Sequence, residues 1–153
     1  MKTVLLTGFW LASSAFAFLN SSTYTGGGTW KADDNTNGTW TEILTVEMVE
    51  ASIQMTSHVK VFRQEELIEE KSITSKIVST QNGFFKVMSG DREAGNGYCF
   101  DNVCHLEFSG DGESSEETVY LKEKEVGKMG SSKGSQSGNS FYVAWRGSLN
   151  QAK

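Results

Sequence analysis

The stretch Trp40-Thr41-Glu42-Ile43-Leu44-Thr45-Val46-Glu47-Met48 alternates along its length and places Trp40, Leu44, Val46 and Met48 on one face. A repeat of two residues is that of a β-strand with one buried and one solvated face. The same alternation recurs in five further segments, around Met55, Val87, Leu106, Val119 and Val143. Helical periodicity is nearly absent, so the sequence predicts an all-β protein.

Short turn signals separate these segments. The chain has no proline and 16 glycines, so its turns are built from Gly, Asn, Asp and Ser, as in Gln81-Asn82-Gly83 and Gly95-Asn96-Gly97. Asn and Gly supply the positive φ that tight hairpins require. Many short strands separated by such turns predict an antiparallel up-and-down meander of about eight strands that forms a small barrel, with a β-sandwich as the alternative.

The first 17 residues have the pattern of a secretory signal peptide. Lys2 precedes the apolar run VLLTGFWL, and Ala15-Phe16-Ala17 is an A-x-A cleavage signal. We therefore expect a signal peptide at 1–17, a single barrel domain at 18–153, and export to the periplasm or the extracellular space. The apolar run is shorter than the roughly 20 residues that a membrane-spanning helix needs.

One segment of the predicted domain is low in complexity. Residues 129–139 (MGSSKGSQSGN) are rich in Gly and Ser and contain little apolar surface to offset the entropy lost on ordering. We expect them to form a flexible loop before the last strand.

The charge of the chain limits its partners. The formal net charge is −5, which gives no electrostatic reason to bind nucleic acid. We assign charged residues to the outward faces, which lipid would not tolerate, so we expect no membrane barrel and no membrane span. These residues are Glu42, Glu47, Lys60, Lys86 and Glu123. The expected state is a monomer.

The two cysteines lie in the most informative local segment, CFDNVCH at 99–105. If Asp101-Asn102 is a two-residue turn, Cys99 faces Cys104 directly and a disulfide can join them, as export to an oxidising compartment favours. The alternative is attachment of haem c. The spacing C-x4-C-H resembles a variant found in some multihaem cytochromes and would use Cys99, Cys104 and the axial ligand His105.

No catalytic or metal-binding constellation stands out. The only histidines are His58 and His105, whereas a metal site needs three or four convergent ligands. No nucleophile elbow, phosphate loop or dinucleotide fingerprint occurs. The sequence therefore predicts neither an enzyme nor a metalloprotein.

Two short features resemble the lipocalins and their calycin relatives. Gly28-Thr29-Trp30 resembles the Gly-x-Trp motif of that superfamily, and Arg146 resembles the late arginine that packs over its tryptophan. The Thr-Asp-Tyr motif of lipocalins is missing. The resemblance implies a small lipocalin-like barrel closed at one end by a Trp30–Arg146 cation–π pair.

Two functions follow from this interpretation. The first is a non-enzymatic binding protein whose barrel holds a small apolar ligand. The second is a protein-binding module, such as an inhibitor of a secreted or host enzyme. For the first function, seven side chains are predicted to line the interior: Met48, Met55, Phe85, Val87, Leu106, Phe108 and Trp145. The same side chains could instead fill the barrel, because eight strands leave just enough room for that.

Overall fold

The structure, a computed structural model, describes residues 21–50, 52–80, 83–136 and 138–153. The predicted signal peptide lies outside these residues. Within the described ranges all regular structure is β-strand and no helix occurs. The strands are β1 (Ser22–Ala32), β2 (Asn37–Val49), β3 (Ser52–Arg63), β4 (Glu66–Ser79), β5 (Phe84–Ser89), β6 (Arg92–Phe100), β7 (Val103–Gly110), β8 (Glu113–Leu121), β9 (Glu125–Gln136) and β10 (Asn139–Gln151).

The strands form one closed antiparallel barrel. Each strand pairs with its neighbours in the chain, and β1 pairs with β10 to close the sheet. The predicted up-and-down meander is therefore confirmed, and the β-sandwich alternative is wrong. The barrel has ten strands, where the sequence predicted about eight. Barrel diameter grows roughly in proportion to strand number, so this interior is wider than that of an eight-stranded barrel.

Strands β1 and β9 have little apolar alternation because their inward positions carry mostly small or polar residues. On β9 these positions are Lys128, Gly130, Ser132 and Gly134. The last three are opposed by larger inward residues of β10, which are Trp145, Val143 and Phe141. Small residues on one strand therefore make room for rings on the next. The predicted flexible loop at 129–139 is wrong for this reason, since β9 occupies most of the segment.

Strands β4 and β5 leave an opening in the wall. β5 has six residues and pairs only with Lys76–Ser79 of β4. Among the described residues, the edge of β4 from 66 to 75 has no partner strand on the β5 side. Two inward-facing residues of this part of β4, Glu69 and Lys71, form an ion pair of 3.1 Å between Lys71 Nζ and Glu69 Oε1.

The disulfide prediction is confirmed. Cys99 and Cys104 are directly opposed on β6 and β7, with a Cα–Cα distance of 4.0 Å, and they are joined by a disulfide. Asp101 in the connecting turn has φ of 52°, as a tight hairpin requires. Both sulfurs that the haem alternative would use are engaged in this bond, and that alternative stays an untested prediction.

No helix in the described part of the chain is long and apolar enough to cross a membrane. A disulfide is typical of proteins that fold in an oxidising compartment, which fits the predicted export.

Candidate functional site

Three charged side chains point into the barrel and are almost completely buried. Glu42 on β2 is 3% exposed, Glu117 on β8 is 1% exposed and Lys128 on β9 is 5% exposed. Isolated charges are rarely buried, because desolvation costs several kcal/mol for each ion unless the charges are paired. We call these three residues the interior cluster. It is the most polar part of an otherwise apolar core.

Lys128 joins the two carboxylates. Its Nζ lies 2.8 Å from Glu42 Oε2 and 3.5 Å from Glu117 Oε1. Ser57 Oγ donates a hydrogen bond of 2.7 Å to Glu42 Oε1, and Trp145 Nε1 donates one of 3.4 Å to Glu117 Oε1. The cluster therefore has hydrogen-bonded support from β3 and β10 in addition to its own ion pairs.

Glycines allow the cluster to form across the sheet. Lys128 on β9 and Glu42 on β2 are separated by β10 and β1, whose inward positions between them include Gly147, Gly28 and Gly26. Without side chains at these positions, Lys128 can cross two strands to reach Glu42. The ring of Trp40 also uses this space, because a Cβ on Gly147 would lie 2.5 Å from Trp40 Cζ2.

Burial and charge set the protonation of the cluster. Burial raises the pKa of Glu117, and the nearby Glu42 adds to this effect while Lys128 opposes it. For Lys128, burial acts to lower the pKa, but the charges of Glu117 and Glu42 outweigh it and the pKa is raised. Burial therefore disfavours the charge on Glu117, while the two carboxylates favour the charge on Lys128.

Two buried polar atoms at the cluster have no hydrogen-bond partner among the described residues: Trp40 Nε1 and Glu117 Oε2. Lys128 Nζ lies 5.8 Å from the centre of the Trp40 ring, so both atoms belong to one region of the interior. Glu117 Oε1 already accepts from Trp145 and Lys128, whereas Oε2 has no partner. The interior therefore presents an indole N–H without an acceptor and a carboxyl oxygen without a partner.

The predicted lining residues largely face inward. Met55, Phe85, Val87 and Leu106 are at most 1% exposed, Trp145 is buried, and Phe108 is partly buried against the core. Met48 is 54% exposed and lies at the end of β2, so its assignment to the interior is wrong. Whether the inward residues surround a ligand stays a prediction.

The predicted Trp30–Arg146 pair is wrong. Trp30 faces inward and is directly opposed to Trp145, and its Nε1 donates to Phe62 O at 3.1 Å. Arg146 follows Trp145 and therefore points outward, where it is exposed. Period-two alternation alone excludes this pairing, because positions 145 and 146 lie on opposite faces.

The histidines do not converge. His58 contacts Glu70 at 2.9 Å on the outer face, and His105 lies between Tyr98 and Thr118 on β6 and β8. Within the described ranges, no group of three or more His, Cys, Asp and Glu side chains could hold a metal ion.

Sequence reasoning missed all three residues of the interior cluster. Glu42 was assigned to the outer face, although alternation places it on the same face as Trp40 and Leu44. Glu117 precedes Val119 by two residues, and Lys128 follows Val126 by two. A strict alternation rule would therefore have placed each charge inside, whereas we assumed that charged residues lie outside.

Comparisons with known proteins concern the fold. No known protein family and no curated protein matches the chain. The structure of an S-type phycobiliprotein lyase from Guillardia theta matches it with a TM-score of 0.75 and 13% sequence identity, over 94% of each chain. Together with the closed antiparallel barrel, this likeness shows a lipocalin-like fold.

The same comparison contradicts our expectation that the protein is not an enzyme. The matching structure is described as a lyase, so absence of enzymatic activity cannot be inferred from a barrel of this kind. At 13% identity the likeness shows the fold alone and assigns no reaction to this chain.

Proposed function

We propose that the barrel binds one small, mainly apolar organic molecule in its interior and that the molecule carries a hydrogen-bond acceptor, such as a carbonyl oxygen. The unpartnered indole N–H of Trp40, beside the unpartnered Glu117 Oε2, is the observation that carries this proposal. A buried polar group without a partner costs about 1–3 kcal/mol. An acceptor on the ligand that reaches Trp40 Nε1 removes this cost for the indole.

The apolar surroundings determine the rest of the ligand. Ligand sites in proteins are mostly apolar, with a few polar groups that fix orientation. The interior cluster supplies those polar groups, while Trp40, Trp145 and the predicted lining residues that face inward supply aromatic and aliphatic surface. The lipocalin-like fold supports a binding function of this kind.

The opening between β4 and β5 is the proposed route of entry. Opening the barrel there breaks no ladder hydrogen bonds along 66–75, because that edge of β4 has no partner on the β5 side in the described structure. The Glu69–Lys71 ion pair faces inward at this opening, and Glu69 Oε2 is buried without a partner there. We also propose that the protein is exported and belongs to the calycin superfamily, as the disulfide, the Gly-x-Trp motif and the fold together favour.

The test uses Nile red, a neutral fluorescent dye with a carbonyl acceptor, and two tryptophan variants. Trp40→Phe removes the unpartnered N–H and keeps an aromatic ring, whereas Trp30→Phe removes an N–H already bonded to Phe62 O. Trp40→Phe should weaken dye binding by about three- to tenfold, the value of one neutral hydrogen bond. Trp30→Phe should leave dye affinity unchanged and lower the free energy of unfolding by about 1 kcal/mol.

Native mass spectrometry of protein isolated from its natural source gives the second readout. The proposal predicts a mass excess of one small molecule, which organic extraction removes. Two results together would show that the inward side chains serve only as packing: Trp40→Phe binds the dye with unchanged affinity, and the protein from its natural source has the mass of the polypeptide alone.

A further inference from the structure

The outer wall of the barrel contains a separate concavity of about 700 Å³. Outward-facing residues of β1, β10, β9, β8 and β7 form most of its surface. This volume lies within the range of small-molecule pockets, roughly 300–1,000 Å³. Because side chains of a strand alternate between faces, most of this surface is independent of the interior cluster.

The concavity results from the sizes of neighbouring side chains. Ala144 on β10 is directly opposed to Ser131 on β9, and both are short. Next to them, Thr29 on β1 and Thr118 on β8 are also small, so these four residues form a low floor. Longer side chains surround the floor and form its rim: Lys31, Met129, Tyr142 and Arg146.

The rim carries positive charge on one side. Lys31 is opposed to Ala144, and Arg146 is opposed to Thr29, so both cations flank the floor on β1 and β10. Neither forms an ion pair with any residue in the described part of the chain. The carboxylate of Glu116, on the opposite side, accepts a hydrogen bond of 3.1 Å from Ser131. Two uncompensated cations at one pocket attract an anion even though the chain has a net charge of −5.

The other rim residues are suited to an apolar body. Tyr142 and Met129 are each 46% exposed and border the floor at opposite ends, because Tyr142 is opposed to Lys133 and Met129 is opposed to Arg146. An aromatic ring can pack against the Tyr142 ring and the Met129 thioether, both of which interact favourably with aromatic groups. Arg146 can also form a bidentate contact with a carboxylate or sulfonate.

We propose that this concavity is a second binding site, which takes a small aromatic anion. The anionic group binds Arg146 and Lys31, and the aromatic body covers Ala144 between Tyr142 and Met129. This site is independent of the ligand proposed for the interior.

The test uses anilinonaphthalene sulfonate, an aromatic anion, with binding followed by calorimetry and by amide chemical shifts. Arg146→Gln and Lys31→Gln should each weaken binding by about five- to tenfold, the value of one charge-assisted hydrogen bond on a surface. Ala144→Phe fills the floor from outside and should abolish binding. The matched control is Lys124→Gln, which removes an exposed cation from the β8–β9 turn and should leave the affinity unchanged.

Saturating Nile red distinguishes the two sites. The proposal predicts that the sulfonate binds with unchanged affinity when the dye is bound inside. It also predicts that the sulfonate shifts the amide resonances of β1, β9 and β10. Displacement of the sulfonate by Nile red, or wild-type affinity in both Arg146→Gln and Ala144→Phe, would overturn it.

Discussion

Replacement of Lys128 by methionine removes the only cation that contacts the two buried carboxylates of the interior cluster, within the described part of the chain. Methionine keeps most of the length of the side chain and its apolar stem. The variant therefore isolates the effect of charge. Because the side chains of Lys128 and Glu42 are 4% and 1% exposed, solvent does not screen their interaction.

The magnitude follows from what happens to Glu42. Removing one partner of a buried ion pair costs about 3–5 kcal/mol, because the other charge is left uncompensated. Lys128 Nζ lies closer to Glu42 Oε2, at 2.8 Å, than to Glu117 Oε1, at 3.5 Å, and burial already disfavours the charge on Glu117, so Glu42 accounts for most of the loss.

Urea unfolding followed by tryptophan emission at pH 7 measures this effect. We expect Lys128→Met to lose about 3–5 kcal/mol. The double variant Lys128→Met with Glu42→Gln should recover most of this loss, since no buried charge remains at that pair. A loss below about 1 kcal/mol in Lys128→Met, or no recovery in the double variant, would refute the reasoning.

Three further predictions concern the same barrel. Burial raises the pKa of Glu117 above 4.5, so the folded protein keeps a proton that the unfolded chain releases. The stability of the protein should therefore fall as pH rises above about 4.5. Thermal melts of Glu117→Gln should not show this decline. Replacing both Cys99 and Cys104 by alanine should cost about 2 kcal/mol in urea unfolding, and added reductant should produce a similar loss in the wild type but none in the variant. Gly147→Ala should cost about 1–3 kcal/mol, because the added methyl group meets the carbonyl oxygen of Gly27 and the ring of Trp40. Normal stability with unchanged Trp40 fluorescence would contradict this packing.

The fold could be predicted to the extent that residue alternation reveals it. β2 and β3 alternate strongly because their inward residues are mostly apolar, so their faces were predicted correctly, with the exceptions of Glu42 and Met48. β1 and β9 lack this signal because glycines, a lysine and a serine occupy their inward positions. These two strands are therefore ones whose small inward residues make room for the interior cluster.

The candidate site was less predictable for a different reason. Its residues are far apart in sequence, since Glu42 and Lys128 are 86 residues apart, and only closure of the sheet between β1 and β10 brings them together. The disulfide could be predicted because its hairpin is local, with a sequence separation of 5. Pairing across a closed barrel depends on register and strand number, which the chain alone left open.

The indole N–H resonances of a ¹⁵N-tryptophan-labelled sample test the central claim most directly. Each resonance is assigned by single Trp→Phe variants, and Nile red is then titrated into the wild-type protein. A molecule whose acceptor binds the Trp40 N–H should shift the Trp40 indole proton downfield and leave the Trp30 indole proton, already bonded to Phe62 O, in place. A bound dye that leaves the Trp40 indole proton unmoved would contradict the account.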